Sequence, residues 1–215
     1  MIQAIIFDMD GLMIDSLSIW KTATQELLAL FGKTHDPEFA RQFSGLKSHD
    51  VAALIKDHYH LSVSVDYISD TRNQIMQKLA QNPVKTMPGL TKLLALLGKT
   101  GHKKAVATSS YRPLAHQLLT SAHVFDLFET IITGEDVTQG KPAPDIFLLA
   151  AKKLHTAPER CLVIEDAPVG IAAAHSAGMK SIAVNKHESP ELFPLADHFL
   201  STLSDINLSV LHSLQ

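Results

Sequence analysis

The chain has 215 residues, of which 46% are hydrophobic and 19% charged, a composition that excludes an intrinsically disordered protein. Nineteen Lys and Arg residues against 22 Asp and Glu residues give a formal net charge of -3, so the charge balance does not indicate a basic surface for nucleic acid or anionic lipid. The single cysteine, Cys161, cannot form an internal disulfide, and neither a membrane-spanning stretch nor a signal peptide is evident. We therefore expect a cytoplasmic protein with no nucleic-acid or membrane partner.

The first predicted element is the apolar run AIIF at residues 4–7, which has the pattern of a buried parallel strand. Two carboxylates, Asp8 and Asp10, follow it at once and precede Gly11. An isolated Asp-x-Asp-Gly sequence most often caps a turn. The pair becomes a candidate active site only if further functional groups gather at the same edge of the sheet.

The segment 16–86 contains no convincing strand, and its apolar residues recur at helical spacing. The clearest stripes contain Trp20, Ala23 and Leu27; Val51, Leu54 and Ile55; and Ile68, Ile75, Met76 and Leu79. Because this segment separates the first strand from the later ones, we expect an all-helical lobe, the cap, that stands over Asp8. The predicted domains are a core formed by residues 1–15 and 87–215 and a cap formed by residues 16–86.

Four further strand-like runs follow the cap segment, and each ends in polar residues. They are KAVA at 104–107, TIIT at 130–133, LVI at 162–164 and SIAV at 181–184. Helical patterns lie between them, including an alanine-rich stretch that Gly178 closes. This alternation predicts an α/β fold with a doubly wound parallel sheet, which binds ligands beyond the carboxyl ends of its strands.

A second acidic pair, Glu165 and Asp166, follows one of these later strands. With Asp8 and Asp10 it would bring three or four carboxylates to one edge of the sheet. Carboxylates crowded in this way repel one another, and hard oxygen ligands are those that Mg²⁺ prefers. The sequence therefore predicts a Mg²⁺ site among these residues.

Three other residues are suited to holding a phosphoryl group. Thr108 and Ser109 end the second core strand, where hydroxyl and backbone N–H groups can bind phosphate oxygens, and Lys141 offers a positive charge between a strand and a helix. Each signal is weak alone, because a Thr-Ser-Ser triplet is usually a turn or helix cap and a lysine before proline is usually solvated. Their order along the chain, each after its own strand, favours phosphoryl transfer.

Four segments of the chain resemble the four sequence motifs of the haloacid dehalogenase superfamily. They are DMDGLMIDS at 8–16, TSS at 108–110, GKPAPD at 140–145 and EDAPVG at 165–170. More narrowly, these segments and the position and length of the helical segment resemble the β-phosphoglucomutase-like and small sugar-phosphate phosphatase branch. The resemblance implies a Rossmann-type core with an inserted helical cap.

The resemblance also implies roles for individual residues. Asp8 would be the nucleophile that forms an aspartyl-phosphate, and Asp10 would be the general acid and base, which protonates the leaving alcohol and then activates water. Mg²⁺ would be held by Asp8, by the backbone carbonyl of Asp10 and by Asp166, with Glu165 close by or bound directly. The phosphoryl oxygens would be bound by Thr108, Ser109 and Lys141.

The cap segment departs from the mutase pattern. A mutase would have basic residues near Gly45 to hold a second phosphate, but serines, Ser44 and Ser48, stand there, and Trp20 stands where the mutase has a histidine. These departures favour a phosphatase that releases the alcohol to water. Candidate substrate-selecting residues are Trp20, Gly45, Lys47 and Arg112, although a tryptophan on an apolar stripe is more often cap core and the two cations can be solvated.

The leading hypothesis is a Mg²⁺-dependent phosphatase, monomeric or weakly dimeric, that acts on a small phosphate monoester such as a sugar phosphate or a nucleoside-type monophosphate. A phosphohexomutase of the β-phosphoglucomutase type is the alternative enzyme. A third hypothesis is a receiver-like regulatory domain in which Asp8 merely accepts a phosphoryl group. Such a domain needs neither a helical lid nor an Asp10 that activates water.

Overall fold

The computed structural model describes residues 1–214 and contains a six-stranded parallel sheet with the order β3-β2-β1-β4-β5-β6. The strands are β1 (Ala4–Phe7), β2 (Lys103–Ala107), β3 (Thr130–Ile132), β4 (Cys161–Glu165), β5 (Lys180–Val184) and β6 (His198–Leu200). The first five confirm the sequence prediction to within one residue at each end. The edge strand β6 was not predicted, because its three half-exposed residues form no buried apolar run.

The helices surround this sheet and also fill the segment between β1 and β2. They are α1 (Leu17–Ala29), α2 (Pro37–Ala40), α3 (Ser48–Tyr59), α4 (Val65–Leu79), α5 (Leu90–Thr100), α6 (Arg112–Ser121), α7 (Asp145–Lys153), α8 (Pro168–Ser176) and α9 (Leu208–Ser213). Within residues 1–214, no helix is long and apolar enough to cross a membrane. The parallel sheet and its surrounding helices confirm the predicted α/β fold class. The predicted domain limits at 16 and 86 stay a prediction.

The central strand β1 explains why the sheet has helices on both faces. Alternate side chains of a strand point to opposite faces, and all four residues of β1 are fully buried. Ile5 and Phe7 join an apolar cluster with α5 and α6, whereas Ala4 and Ile6 join a second cluster with α7 and α8. A short apolar run without polar alternation is the pattern of such a doubly covered strand.

The helices between β1 and β2 pack in two directions. A separate apolar cluster joins α1, α3 and α4, and it contains Leu27, Leu28, Val51, Ile55 and Ile68. Ala23 of α1 and Met76 of α4 belong instead to the apolar cluster that contains Phe7. Helices α1, α3 and α4 therefore share a core of their own, and α1 and α4 also pack against the sheet unit near the end of β1.

The register of the central strands sets the position of the site. Phe7, the last residue of β1, is paired with Val106 of β2 on one side and with Ile164 of β4 on the other. Parallel pairing brings the three carboxyl ends to one edge of the sheet. The polar residues that follow β1, β2 and β4 therefore meet there.

Candidate active site

Lys141 lies at the centre of the site and is only 2% exposed. Its Nζ donates to Asp8 Oδ1 at 2.6 Å, to Glu165 Oε1 at 2.7 Å and to the backbone carbonyl of Ala107 at 3.2 Å. An ammonium group has three N–H donors, so each is used. Burial lowers the pKa of Lys141, but the Asp8 and Glu165 carboxylates outweigh it and leave that pKa raised. The lysine is a fixed positive charge, as a phosphoryl-binding cation must be.

Glu165 is fully buried, and both of its carboxylate oxygens accept hydrogen bonds from N–H groups. Oε1 accepts from Lys141, and Oε2 accepts from the backbone N–H groups of Asp166 and Ala167, each at 2.7 Å. A Cβ atom at Gly170, the third residue of α8, would overlap this carboxylate and force it to move. These contacts favour Glu165 as the residue that orients Lys141, and direct binding of a metal ion by Glu165 stays a prediction.

Three carboxylates meet beside Lys141. Oxygen atoms of Asp8, Glu165 and Asp166 lie within 4.8 Å of one another. Burial raises the pKa of Asp8 to about 7, with Lys141 opposing the rise and Glu165 adding to it. Burial, Glu165 and Asp8 likewise raise the pKa of Asp166. One lysine does not balance three carboxylates, and the donors are all hard oxygens, so the residues present fit a divalent cation such as Mg²⁺.

The carboxylate of Asp10 lies outside that group and is held by four hydrogen bonds. Oδ1 accepts from the Ser16 hydroxyl at 2.6 Å and from the Trp20 indole N–H at 3.0 Å. Oδ2 accepts from the Ser110 hydroxyl at 2.7 Å and from the Thr108 hydroxyl at 3.3 Å. The donors come from the loop after β1, from α1 and from the loop after β2. The orientation of Asp10 therefore depends on the cap helix α1 as well as on the sheet.

The two hydroxyls predicted to bind phosphate have protein partners. Thr108 donates to Asp10 and accepts from the backbone N–H of Ser110 at 3.1 Å. Ser109 donates to the backbone carbonyl of Gly45 at 2.6 Å, which joins the loop after β2 to the cap. Both residues line the cavity of the site, and their role in phosphate binding stays a prediction.

A cavity of about 410 Å³ lies between the sheet edge and the cap helices. Asp8, Asp10 and Asp166 line it from the sheet, and the residues that line it from the cap include Trp20 and Gly45. This volume is in the range of small-molecule sites.

The other two candidate selecting residues lie elsewhere. Lys47 donates to the backbone carbonyls of Val137 at 3.0 Å and Thr138 at 3.3 Å, so it links the cap to the sheet unit outside the cavity lining. Arg112 is paired with Asp136 and is half-exposed. The structure thus brings Trp20 and Gly45 to the cavity but not Lys47 or Arg112.

Several residues of the site did not stand out in the sequence. Ser16 and Ser110 ended recognisable motifs, and their position beside Asp10 could have been suspected from that. Asn185 follows β5 and donates to the backbone carbonyl of Asp166 at 3.0 Å, a strand-end position that the sheet topology could have indicated. Arg72 of α4 lines the cavity, and no local pattern distinguished it from a surface arginine.

The chain is similar to several known phosphate-processing proteins. Residues 5–184 match the family of haloacid dehalogenase-like hydrolases. A probable pseudouridine-5'-phosphatase of Drosophila melanogaster is 36% identical over 208 residues, which are 93% of this chain and 89% of that protein. The mitochondrial (DL)-glycerol-3-phosphatase 1 of Arabidopsis thaliana is 32% identical over 215 residues, which are 95% of this chain and 71% of that protein. The crystal structure of β-phosphoglucomutase from Clostridium difficile superposes with a TM-score of 0.91 at 25% identity, covering 100% of this chain and 97% of that one.

Proposed function

The chain belongs to the haloacid dehalogenase-like hydrolase family and is a phosphatase of small phosphorylated metabolites, and from this premise we propose that it is Mg²⁺-dependent and forms an aspartyl-phosphate on Asp8. The observation that carries the proposal is the environment of Asp8. Lys141 holds Oδ1, while in residues 1–214 no hydrogen bond reaches Oδ2, and Asp8 lines the cavity. One oxygen is thereby fixed and the other is available for attack.

In the first step the free carboxylate oxygen of Asp8 attacks phosphorus. A bond forms between Asp8 and phosphorus, the ester bond to the leaving alcohol breaks, and Asp10 gives that alcohol a proton. In the second step a water molecule gives a proton to Asp10 and attacks the phosphorus of the aspartyl-phosphate. The Asp8 carboxylate leaves, inorganic phosphate is released, and Asp10 is protonated again for the next turnover.

Asp8, Asp166 and the backbone carbonyl of Asp10 would hold the Mg²⁺ ion. When bound, the ion would offset the negative charge of the carboxylates and of the phosphoryl group. Lys141 contributes a second, permanent positive charge beside Asp8. Because its three acceptors keep it in place, it stabilises charge that develops on the phosphoryl oxygens without having to move.

A mutase remains the second candidate, because the similarity to β-phosphoglucomutase extends over the whole chain. The two activities differ in their products. A phosphatase releases inorganic phosphate from a monoester alone, whereas a mutase requires a bisphosphate and returns an isomerised monophosphate. The cytoplasmic location and the monomeric or weakly dimeric state stay predictions from the sequence.

The test compares the wild-type protein with Asp8→Asn, using p-nitrophenyl phosphate and a panel of phosphorylated metabolites. Phosphate release should require Mg²⁺, disappear with EDTA and be abolished in Asp8→Asn. Asp126→Asn is the matched control, because Asp126 is exposed and does not line the cavity. Full activity in Asp8→Asn would exclude Asp8 as the nucleophile. Dependence on a bisphosphate would instead identify a mutase, and an acyl phosphate that lasts for minutes would identify a receiver-like domain.

A further inference from the structure

Arg72 is a buried cation that lacks a carboxylate partner among the described residues. It lies on α4 and is 5% exposed, and its Nε donates to the Thr24 hydroxyl at 3.0 Å. In residues 1–214 no acceptor binds its two terminal nitrogens and no ion pair reaches it. In this range Ser181 Oγ is the one side-chain polar atom that is both fully buried and without a hydrogen-bond partner. The terminal nitrogens of Arg72 have no partner among these residues either, so they are not fully buried. They are accessible from the cavity that Arg72 lines.

Aromatic rings fix the direction of the guanidinium group. Its central carbon lies 4.3 Å from the ring centroid of Trp20 and 6.0 Å from that of Phe43. Burial lowers the pKa of Arg72 to about 10, with the Asp10 carboxylate opposing the shift, so the group is charged at neutral pH. The π-contacts compensate part of the lost hydration but supply no hydrogen-bond acceptor. A guanidinium group presents five donors in a rigid fork, and within the described part of the chain only Nε has a protein acceptor.

The charges that line the cavity are divided between its two sides. The sheet side contributes three aspartates. The cap side contributes no acidic residue among those described, and its basic residues are Lys21, His35, Arg41 and Arg72. Of these four, Arg72 alone is buried. A substrate that fills the cavity with its phosphate at the sheet side would therefore bring the rest of the molecule to Arg72.

We propose that Arg72 binds a carbonyl or carboxylate oxygen on the leaving alcohol and so selects phosphate monoesters that carry such an oxygen over simple polyol phosphates. This inference rests on the proposed phosphatase activity and names its substrate class. The physical reason is that aromatic rings hold the guanidinium group in place with its free donors at the cavity, and an oxygen acceptor on a planar group matches its fork. A hydroxyl group of a polyol is a weaker acceptor for a guanidinium group.

The experiment uses two pairs of substrates, and in each pair one member carries the acceptor as part of a carboxylate or of a planar carbonyl-bearing ring. The carboxylate pair is 3-phosphoglycerate and glycerol 3-phosphate, and the carbonyl pair is uridine 5'-monophosphate and ribose 5-phosphate. The wild-type enzyme should show the higher kcat/KM for the acceptor-bearing member of at least one pair. In Arg72→Met that preference should fall by about 10- to 100-fold, the effect of losing a hydrogen bond to a charged group, and mainly through KM. The pair that responds identifies the acceptor as carboxylate or carbonyl.

Lys78→Met is the matched control, because Lys78 lies on the same helix, is exposed and is absent from the cavity lining. The preference of Lys78→Met for the acceptor-bearing substrates should equal that of the wild type. Thr24→Val supplies a second variant if Arg72→Met does not fold, since it keeps Arg72 and removes the acceptor of Nε together with the hydrogen bond from the Thr24 hydroxyl to the backbone carbonyl of Trp20. It should lower the preference by about threefold or more.

An equal loss of kcat/KM for both members of each pair would overturn the proposal and make Arg72 a positioning residue that acts on Asp10 through Trp20. A wild-type enzyme without preference in either pair would overturn it as well. If the wild type releases no phosphate from any ester, the proposed function fails separately. Calorimetry then still decides whether Arg72 recognises the acceptor. It compares the affinities of the single variant Asp8→Asn and of the double variant Asp8→Asn/Arg72→Met for the four ligands.

Discussion

Two buried cations lie at the candidate site, and the protein satisfies them to different degrees. Lys141, on the sheet side, donates to two carboxylates and one backbone carbonyl, so that each of its N–H groups has an acceptor. Arg72, on the cap side, donates to one threonine hydroxyl and otherwise faces aromatic rings and the cavity. A cation that the protein fully satisfies suits the phosphoryl group, which is common to all substrates. A cation left with free donors suits the part of the substrate that differs between enzymes.

The largest expected effect comes from removing the satisfied cation. Lys141→Met would leave the carboxylates of Asp8 and Glu165 buried together without a counter-charge. We expect the free energy of unfolding to fall by about 3–5 kcal/mol, the usual cost of breaking a buried ion pair, and phosphate release to be lost. Urea unfolding and the phosphate assay measure the two effects.

Lys153→Met is the control for that change, because Lys153 is exposed near the end of α7 and makes no ion pair in residues 1–214. If Lys141→Met lowered the free energy of unfolding by less than about 1 kcal/mol, the contrast drawn between Lys141 and Arg72 would be wrong. Such a small loss would mean that the lysine is no better satisfied by the fold than an ordinary surface cation.

A smaller effect tests the support beneath the lysine. Gly170→Ala would place a Cβ atom against the carboxylate of Glu165, which holds Lys141 and the start of α8. We expect a loss of about 1–3 kcal/mol in the free energy of unfolding, as for other overpacked sites, and a lower kcat. Gly98→Ala is the control, since no atom lies within 4 Å of the new Cβ apart from the chain neighbours and the surrounding backbone of α5, and the change should stabilise by up to about 1 kcal/mol. Equal stability of the two variants would show that Glu165 has room to move.

The smallest expected effect is a dependence of metal stabilisation on pH. Since burial raises the pKa of Asp8 to about 7 and also raises that of Asp166, the metal-free folded protein binds protons that the unfolded chain releases above about pH 4. The free energy of unfolding of the metal-free protein should therefore fall as the pH rises from about 4 to about 7. Mg²⁺ binds the ionised carboxylates, so it should raise Tm more at about pH 8 than at about pH 5. Thermal unfolding with Mg²⁺ and with EDTA measures this, and an equal increase at both pH values would contradict it.

The sheet side of the site could be predicted because parallel strands impose a simple rule. Asp8, Thr108 and Asp166 each follow a buried strand, and adjacent parallel strands end at one edge. Their convergence therefore follows once the strands are identified. What could not be predicted was the partner of each side chain. The two N–H contacts to Glu165 Oε2 arise from the turn between β4 and α8, and residue types alone do not define that geometry.

The cap side could not be predicted in the same way. Helical periodicity identifies which face of α4 is buried, but Arg72 stands on that face as a charged residue, and the pattern cannot show what covers it. Its contacts with Thr24 and Trp20 depend on how α4 packs against α1. Lys47 reaches the carbonyls of Val137 and Thr138 across a separation of about ninety residues, which no local pattern encodes.

The acceptors of Lys141 have a consequence for how enzymes with this site can diverge. Asp8, Ala107 and Glu165 belong to or directly follow three neighbouring strands, so one ammonium group cross-links the middle of the sheet. The chemistry of the phosphoryl group is thereby built into the same contacts that hold the domain together. A new substrate can be reached by exchanging a side chain of the cap, whereas a new reaction would require rebuilding the centre of the fold.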